Sequence, residues 1–139
     1  MTRDADYAVR VALDLAAHAP GALVRRAGIA RRQGVPGAYL AKIVQRMARG
    51  GLVTTRRGVA GGVALARDPT TLTLGEVITA LDGLLCLNRC VERPGACPRD
   101  RFCPVHPVWL RVQRLVEHEL AAVTIADLVR SHGTRGNGA

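Results

Sequence analysis

A mainly α fold, a winged helix-turn-helix with a β-hairpin wing and a long C-terminal dimerisation helix, is what this 139-residue sequence predicts. Three observations predict it. Apolar residues recur at helical spacing in two short segments joined by a Gly/Pro turn, residues 24–33 and 38–49. Two β-rich runs around a Gly-rich turn follow directly, over residues 52–66. One helical segment near the end, residues 107–123, carries an apolar stripe wider than a small domain can cover.

Each element follows in turn. Residues 4–17 read as an amphipathic helix with Tyr7, Val11, Ala12, Leu15 and Ala16 on one stripe, broken by Ala19-Pro20-Gly21. The second helix spans residues 24–33, and Gly34-Val35-Pro36-Gly37 is a tight turn. Tyr39, Leu40, Ile43, Val44 and Met47 then recur at helical spacing until Gly50-Gly51. The exposed face of this pair is expected to carry Arg31, Arg32, Lys42, Arg46 and Arg49, where a plain helical hairpin would mix both signs of charge. Leu52 to Arg57 and Val63 to Ala66 are the strands of the wing, with Arg56 and Arg57 at its tip. The Gly-rich turn between them lacks the Lys and following helix of a phosphate loop. Thr73 and Glu76 form a capping box that starts a helix running to about Leu81.

Pro107 sits where a first-turn proline belongs, and Val108, Val112, Leu115 and Val116 with Trp109, Leu120 and Val123 form the wide stripe. Burial against a second copy is the economical cover for it. Thr124 caps a last turn over residues 125–129, and residues 131–139 read as a disordered tail. The expected organisation is therefore a DNA-binding unit over 1–83, a cysteine-rich loop over 84–106, a pairing helix and turn over 107–130, and the tail.

The charge sits in one half. Residues 1–67 hold twelve basic and three acidic residues, residues 68–139 eight of each, and together they give the net +9. Residues 15–67 contain ten basic residues and no acid. A one-signed segment of this length points to a polyanion, and nucleic acid is the commonest one. Ala38, Tyr39, Lys42 and Arg46, with Arg31 and Arg32 before them and Arg56 and Arg57 on the wing, are the candidate DNA contacts. The longest stretch free of charged residues is ten long, far short of the ~20 a membrane helix needs. A cytoplasmic protein with no membrane partner is the expectation.

All four cysteines fall in residues 86–106, in the pattern Cys86-x3-Cys90-x6-Cys97-x5-Cys103-x2-His106. The segment also holds Pro94, Pro98 and Pro104 and shows neither helical nor strand period. So long a structureless loop in a compact domain is functional, disordered or tied down. In a reducing compartment stable disulfides are a poor explanation, and metal ligation is favoured. Spacing alone leaves structural zinc and an iron–sulfur cluster both open.

Motifs in four segments, in order, carry a resemblance. They are Tyr7-Ala8-Val9-Arg10, then Gly34-Val35-Pro36 before Tyr39-Leu40, then Gly51-Leu52-Val53 with Arg57-Gly58-x-x-Gly61-Gly62, and last Cys90, Cys97 and Cys103 with His106 and Trp109. Over roughly residues 1–130 the sequence resembles the Rrf-two family of bacterial winged-helix regulators, which includes iron–sulfur-assembly and nitric-oxide-sensing members. The resemblance implies a homodimeric DNA-binding repressor, not an enzyme, whose affinity for a duplex operator depends on an iron–sulfur cluster held by Cys90, Cys97 and Cys103. It implies Asp6, from the first helix of the other subunit, or His106 as the fourth ligand, with Asp6 preferred; Cys86, four residues before Cys90 and outside the family spacing, is a third candidate. Asp6 directly precedes Tyr7-Ala8-Val9-Arg10, and with it a 4Fe–4S cluster is favoured over 2Fe–2S. Nitric oxide, iron or redox state is the implied signal.

The sequence departs from the family pattern at four places. Val59-Ala60 replaces the usual Pro-Gly of the wing, and Ala41 replaces a glutamate of the iron–sulfur-assembly members. The first cysteine interval is one residue longer, and Cys86 has no counterpart. The competing reading is a zinc-stabilised winged-helix DNA-binding module without cluster sensing.

Overall fold

The computed structural model describes residues 1–136. The chain folds as α1 (Arg3–Ala16), α2 (Arg26–Gln33), α3 (Gly37–Arg49), β1 (Val53–Arg56), β2 (Gly62–Leu65), α4 (Leu74–Asp82), a single 3-10 turn at Arg89–Val91, α5 (His106–Ala122) and α6 (Ile125–Gly136). The fold class read from the sequence is the one observed.

Helix α1 lies at the centre, its Ala5, Ala8, Val11, Ala12 and Leu15 buried. Around it Ile29 of α2, Leu40, Ile43 and Met47 of α3, Val63 of β2, Val77 of α4 and Ile125 of α6 close one core. Small residues on α1 allow this: alanines let four neighbouring helices approach closely. Thr2 caps α1, accepting from the Ala5 amide.

Between α2 and α3, Gly34 takes the left-handed conformation at φ 63° that ends α2, and Pro36 precedes the first turn of α3. The wing is an antiparallel pair in the register Val53↔Leu65 to Arg56↔Gly62. The second helix starts two residues later than expected. Val24 instead forms a bridge with Val63, each amide donating to the other carbonyl at 2.8 Å. A third short edge is thereby added to the wing. Gly62 makes this approach possible, since a Cβ there would stand 2.6 Å from the Val24 carbonyl oxygen.

Thr73 and Glu76 form the expected capping box at the start of α4. The end of α5 returns to the same place: Thr73 bridges Thr124, the Leu74 amide donates to Val123, and Ile125 donates to Leu72. The last helix is longer than expected. Residues 131–136 continue α6 where a disordered tail was anticipated, and 137–139 lie outside the described residues. A second reciprocal cap, Thr124 with Asp127, starts α6, and the Ser131 hydroxyl donates to the Asp127 carbonyl one turn back. Leu128 packs on the core, so tertiary burial extends a segment of weak intrinsic helicity.

Candidate nucleic-acid interface and cysteine loop

A groove runs between α3 and the wing. Arg25, Arg26, Lys42, Gln45, Arg56 and Arg57 line it together with Ala41, Thr55, Gly58 and Val59, and no acidic residue does. The Arg25 guanidinium donates to the Val59 carbonyl at 2.7 Å and so ties the wing tip to the start of α2. Lys42, Gln45, Arg56 and Arg57 are exposed. Such a surface offers cations and an amide on a rigid helix, the donor set that meets phosphates and base edges.

Of the expected DNA contacts, Ala38, Lys42, Arg56 and Arg57 stand exposed on α3 and the wing, and Arg31 is exposed on α2. Three are held by acids of α1: Tyr39 and Arg46 are half-buried, and Arg32 is exposed but paired. Tyr39 turns to α1, where its hydroxyl donates to Asp4 and its ring meets Tyr7 edge-on at 5.4 Å. The bond to the Asp4 carboxylate raises the Tyr39 hydroxyl above its ordinary range. Arg46 is half-buried, donating to Asp4 and to the Leu81 carbonyl at the end of α4. Arg32 forks onto Asp14 at 2.9 and 2.7 Å, and Gln33 adds a third bond at 2.9 Å. Burial pushes the Asp14 carboxyl up, but these bonds and the Arg32 charge more than offset it and hold it below the usual range.

Sequence reasoning missed Arg25, Arg26 and Gln45. At about 100° per residue, the side of α3 opposite Leu40, Ile43 and Met47 carries Ala38, Lys42, Gln45 and Arg49. Arg46 lies further round toward α1, so the helical wheel held the signal for both Gln45 and Arg46. The Arg25 and Arg26 placement depends on the Val24 bridge and had no local signal.

In the loop, all four cysteines are free thiols, Cys86 exposed and Cys90, Cys97 and Cys103 half-buried. Cys90 sits in the 3-10 turn, and His106 donates its amide to the Cys103 carbonyl at 3.2 Å, so these two share one turn. Gln113, buried on α5, holds the loop's entry: its Oε1 accepts from the Leu87 amide at 2.9 Å, and its Nε2 donates to Leu85 O and to Glu117 at 2.8 Å. Among the described residues no three His, Cys, Asp or Glu side chains stand together as a metal-holding group. The donor chemistry nevertheless fits an iron–sulfur cluster. Three half-buried thiols share the loop with the His106 Nδ1, a buried atom without a hydrogen-bond partner among the described residues. Asp6 lies in the first turn of α1, paired with Arg10 at 3.0 Å.

Helix α5 buries only Gln113 within the chain. Val108 is 42% and Leu115 68% exposed, whereas Leu120, expected on the pairing face, packs on Gly75 of α4.

A winged helix-turn-helix with an acid-free cationic groove between recognition helix and wing defines a DNA-binding transcriptional regulator. The chain belongs to the Rrf2 family, whose model, described as iron-dependent transcriptional regulator, matches residues 1–131. It is 34% identical over 131 residues to the HTH-type transcriptional regulator IscR of Yersinia enterocolitica, covering 94% of this chain and 79% of that one. Among solved structures it is similar to T. potens IscR, at TM-score 0.74 and 30% identity over 95% of this chain and 87% of that one. It is also similar to CymR, the global cysteine regulator of B. subtilis, at TM-score 0.76 and 25% identity over 94% and 96%. The chain is a transcriptional regulator and not an enzyme. No helix among the described residues is long and apolar enough to cross a membrane.

Proposed function

We propose that the chain is a homodimeric repressor that reads a duplex DNA operator and whose affinity is set by an iron–sulfur cluster sensing nitric oxide, iron or redox state. The acid-free groove between α3 and the wing carries the reading. Lys42 and Gln45 enter the major groove, and Arg56 and Arg57 reach the backbone or minor groove. The exposed Val108 and Leu115 of α5 support pairing with a second copy. IscR, by its name a transcriptional regulator, supports the regulatory role.

Cys90, Cys97 and Cys103 would hold the cluster, 4Fe–4S in preference to 2Fe–2S, with Asp6 or His106 completing it. The partnerless Nδ1 supports His106, while Asp6 of one chain already has Arg10. A bound cluster supplies a redox-active centre whose potential follows its ligands and their hydrogen bonds. Protein purified without oxygen is expected to carry colour, iron and acid-labile sulfide, and a colourless zinc protein would refute the cluster. Loss of cluster in His106→Ala but not Asp6→Ala assigns His106, and the reverse assigns Asp6.

The DNA reading is tested by titrating the dimer with duplex at several salt concentrations. Log affinity is expected to fall with log salt by about 0.9 per phosphate contact, and Arg57→Ala is expected to remove about one contact's worth of slope. Lys42→Ala is expected to relax sequence preference more than Arg57→Ala does. Salt-independent affinity, or equal binding to every duplex, would overturn the proposal.

A further inference from the structure

Four hydrogen-bonded links join α1, α3 and α4 into a closed ring. Asp4, in the first turn of α1, accepts from Tyr39 and Arg46 of α3. Arg46 also donates to the Leu81 carbonyl in the last turn of α4. The next residue, Asp82, accepts from the Thr2 amide at 2.8 Å and from the Thr2 hydroxyl, and Thr2 is the cap of α1. Burial pushes the Asp82 carboxyl up, and the Thr2 bonds outweigh this and hold it low. Gly83, where the cysteine loop begins, follows Asp82 directly.

We infer that Asp4 and Arg46 are positioning residues for DNA recognition: their half-buried ion pair fixes the rotation of α3 so that Lys42 and Gln45 meet the bases, and Arg46 itself does not touch DNA. The geometry supports this in two ways. Arg46 has one guanidinium nitrogen on Asp4 and another on the backbone of α4, so releasing it toward DNA would break both links. Tyr39 and Arg46 hold α3 from one flank only, while Ile43 and Met47 pack its inner face. Apolar packing resists separation of α3 from the core but tolerates small rotation about the helix axis. The directional bonds of Asp4 supply the missing restraint. The same ring ends at the residue before the cysteine loop, so a displacement of the loop's entry reaches α3 through Leu81 and Arg46.

The inference rests on the reading of α3 as the DNA-contacting helix, and the test separates the two. A duplex is selected from a randomised pool by the full wild-type chain purified without oxygen, and a scrambled duplex of equal composition serves as the non-specific probe. Arg46→Gln and Asp4→Asn are each expected to lower the ratio of specific to non-specific affinity by roughly tenfold and to be non-additive in the double variant. The salt slope is expected to stay at the wild-type value, and Arg46→Lys, which keeps the pair with Asp4, to recover much of the ratio. A direct DNA contact by Arg46 predicts the opposite: a slope reduced by about one in Arg46→Gln, and tighter binding in Asp4→Asn because an acid is removed. That outcome, or an unchanged ratio in both variants, overturns the inference. Tyr39→Phe, which removes one hydroxyl, is the variant to use if either charge change unfolds the chain, and an intermediate loss of ratio is expected there. If the wild-type chain selects no sequence at all, the DNA reading itself fails.

Discussion

Replacing Gln113 with Leu removes the one buried polar anchor between α5 and the entry of the cysteine loop. The amide makes three bonds, accepting from Leu87 N at 2.9 Å and donating to Leu85 O and to Glu117 at 2.8 Å. Leu fills nearly the same volume, so little is lost in packing and the change isolates the hydrogen bonds. Each such bond contributes a net ~0.5–1.5 kcal/mol, and a donor or acceptor left unpaired in a buried place costs more. Leu87 is 40% exposed, so water replaces part of what is lost on that side. Glu117 is exposed and regains solvent fully. The expected cost is therefore about 1–3 kcal/mol, felt mainly as local opening of the loop entry rather than global unfolding. Amide hydrogen exchange reads this directly: protection at Leu87 is expected to fall by roughly ten- to a hundredfold, with core amides of α1 unchanged. Cluster retention in air is expected to fall with it. Wild-type exchange at Leu87 would show that Gln113 does not hold the loop and would refute the reasoning.

Gly62→Ala is expected to detach Val24 from Val63, because the new Cβ would meet the backbone of Val24 at 2.6 Å and no side-chain rotation relieves it. The loss of two bonds, about 2 kcal/mol, is read as faster amide exchange at Val24 and Val63 and weaker DNA binding. Asp14→Asn is expected to cost about 2 kcal/mol, below the usual range for a buried pair because Arg32 is 41% exposed. Asp14 is held below its ordinary value of 3.8, so its contribution is present above that pH and is lost as pH falls through the lowered value. The wild-type acid-unfolding limb is accordingly expected to be steeper than that of Asp14→Asn. Leu115→Asp is expected to sediment as a folded monomer, and a dimer that survives it places the interface elsewhere.

The elements that were legible in the sequence are those whose signals are local. The Thr73-Glu76 box, the Gly34 turn, the glycines of the wing and the α5 stripe each lie within a few residues of what they determine. The misread features depend on partners distant in sequence. Arg46 reads as one more cation on an exposed face until Asp4, 42 positions away, is seen beside it. Tyr39 meets the same acid at a separation of 35. Arg32 is fixed by Asp14 from the helix before. The acid-free run over residues 15–67 was a sound guide to where the cationic groove lies. It did not show which cations are already paired within the fold: two of the three acids before it, Asp4 and Asp14, hold Arg46 and Arg32.

The cysteine loop presents the opposite problem, a segment whose own residues do not account for its order. Between Gly83 and His106 the regular structure is one 3-10 turn, and most of the remaining backbone bonds close short local turns, such as Ala96 to Arg93 and Cys103 to Arg99. Its large apolar side chains face outward, Leu84 at 83% and Phe102 at 87% exposed. Fixing each residue's backbone costs about 1–2 kcal/mol, and exposed apolar groups offset none of it. Gln113 secures the entry, the 3-10 turn rests against α5, and Pro107 starts α5 at the exit. A bound group or a second chain, as proposed above, would add order to the stretch between the 3-10 turn and the exit. Three thiols and the His106 Nδ1, without a partner among the described residues, would suit the first, and the exposed Leu84, Phe102 and Val105 the second. A group that orders the loop would act on Gly83, and through Asp82 and Leu81 on the ring proposed to orient α3. A ligand held by the loop would thus reach α3 through two backbone residues and the hydrogen bond from Arg46 to Leu81.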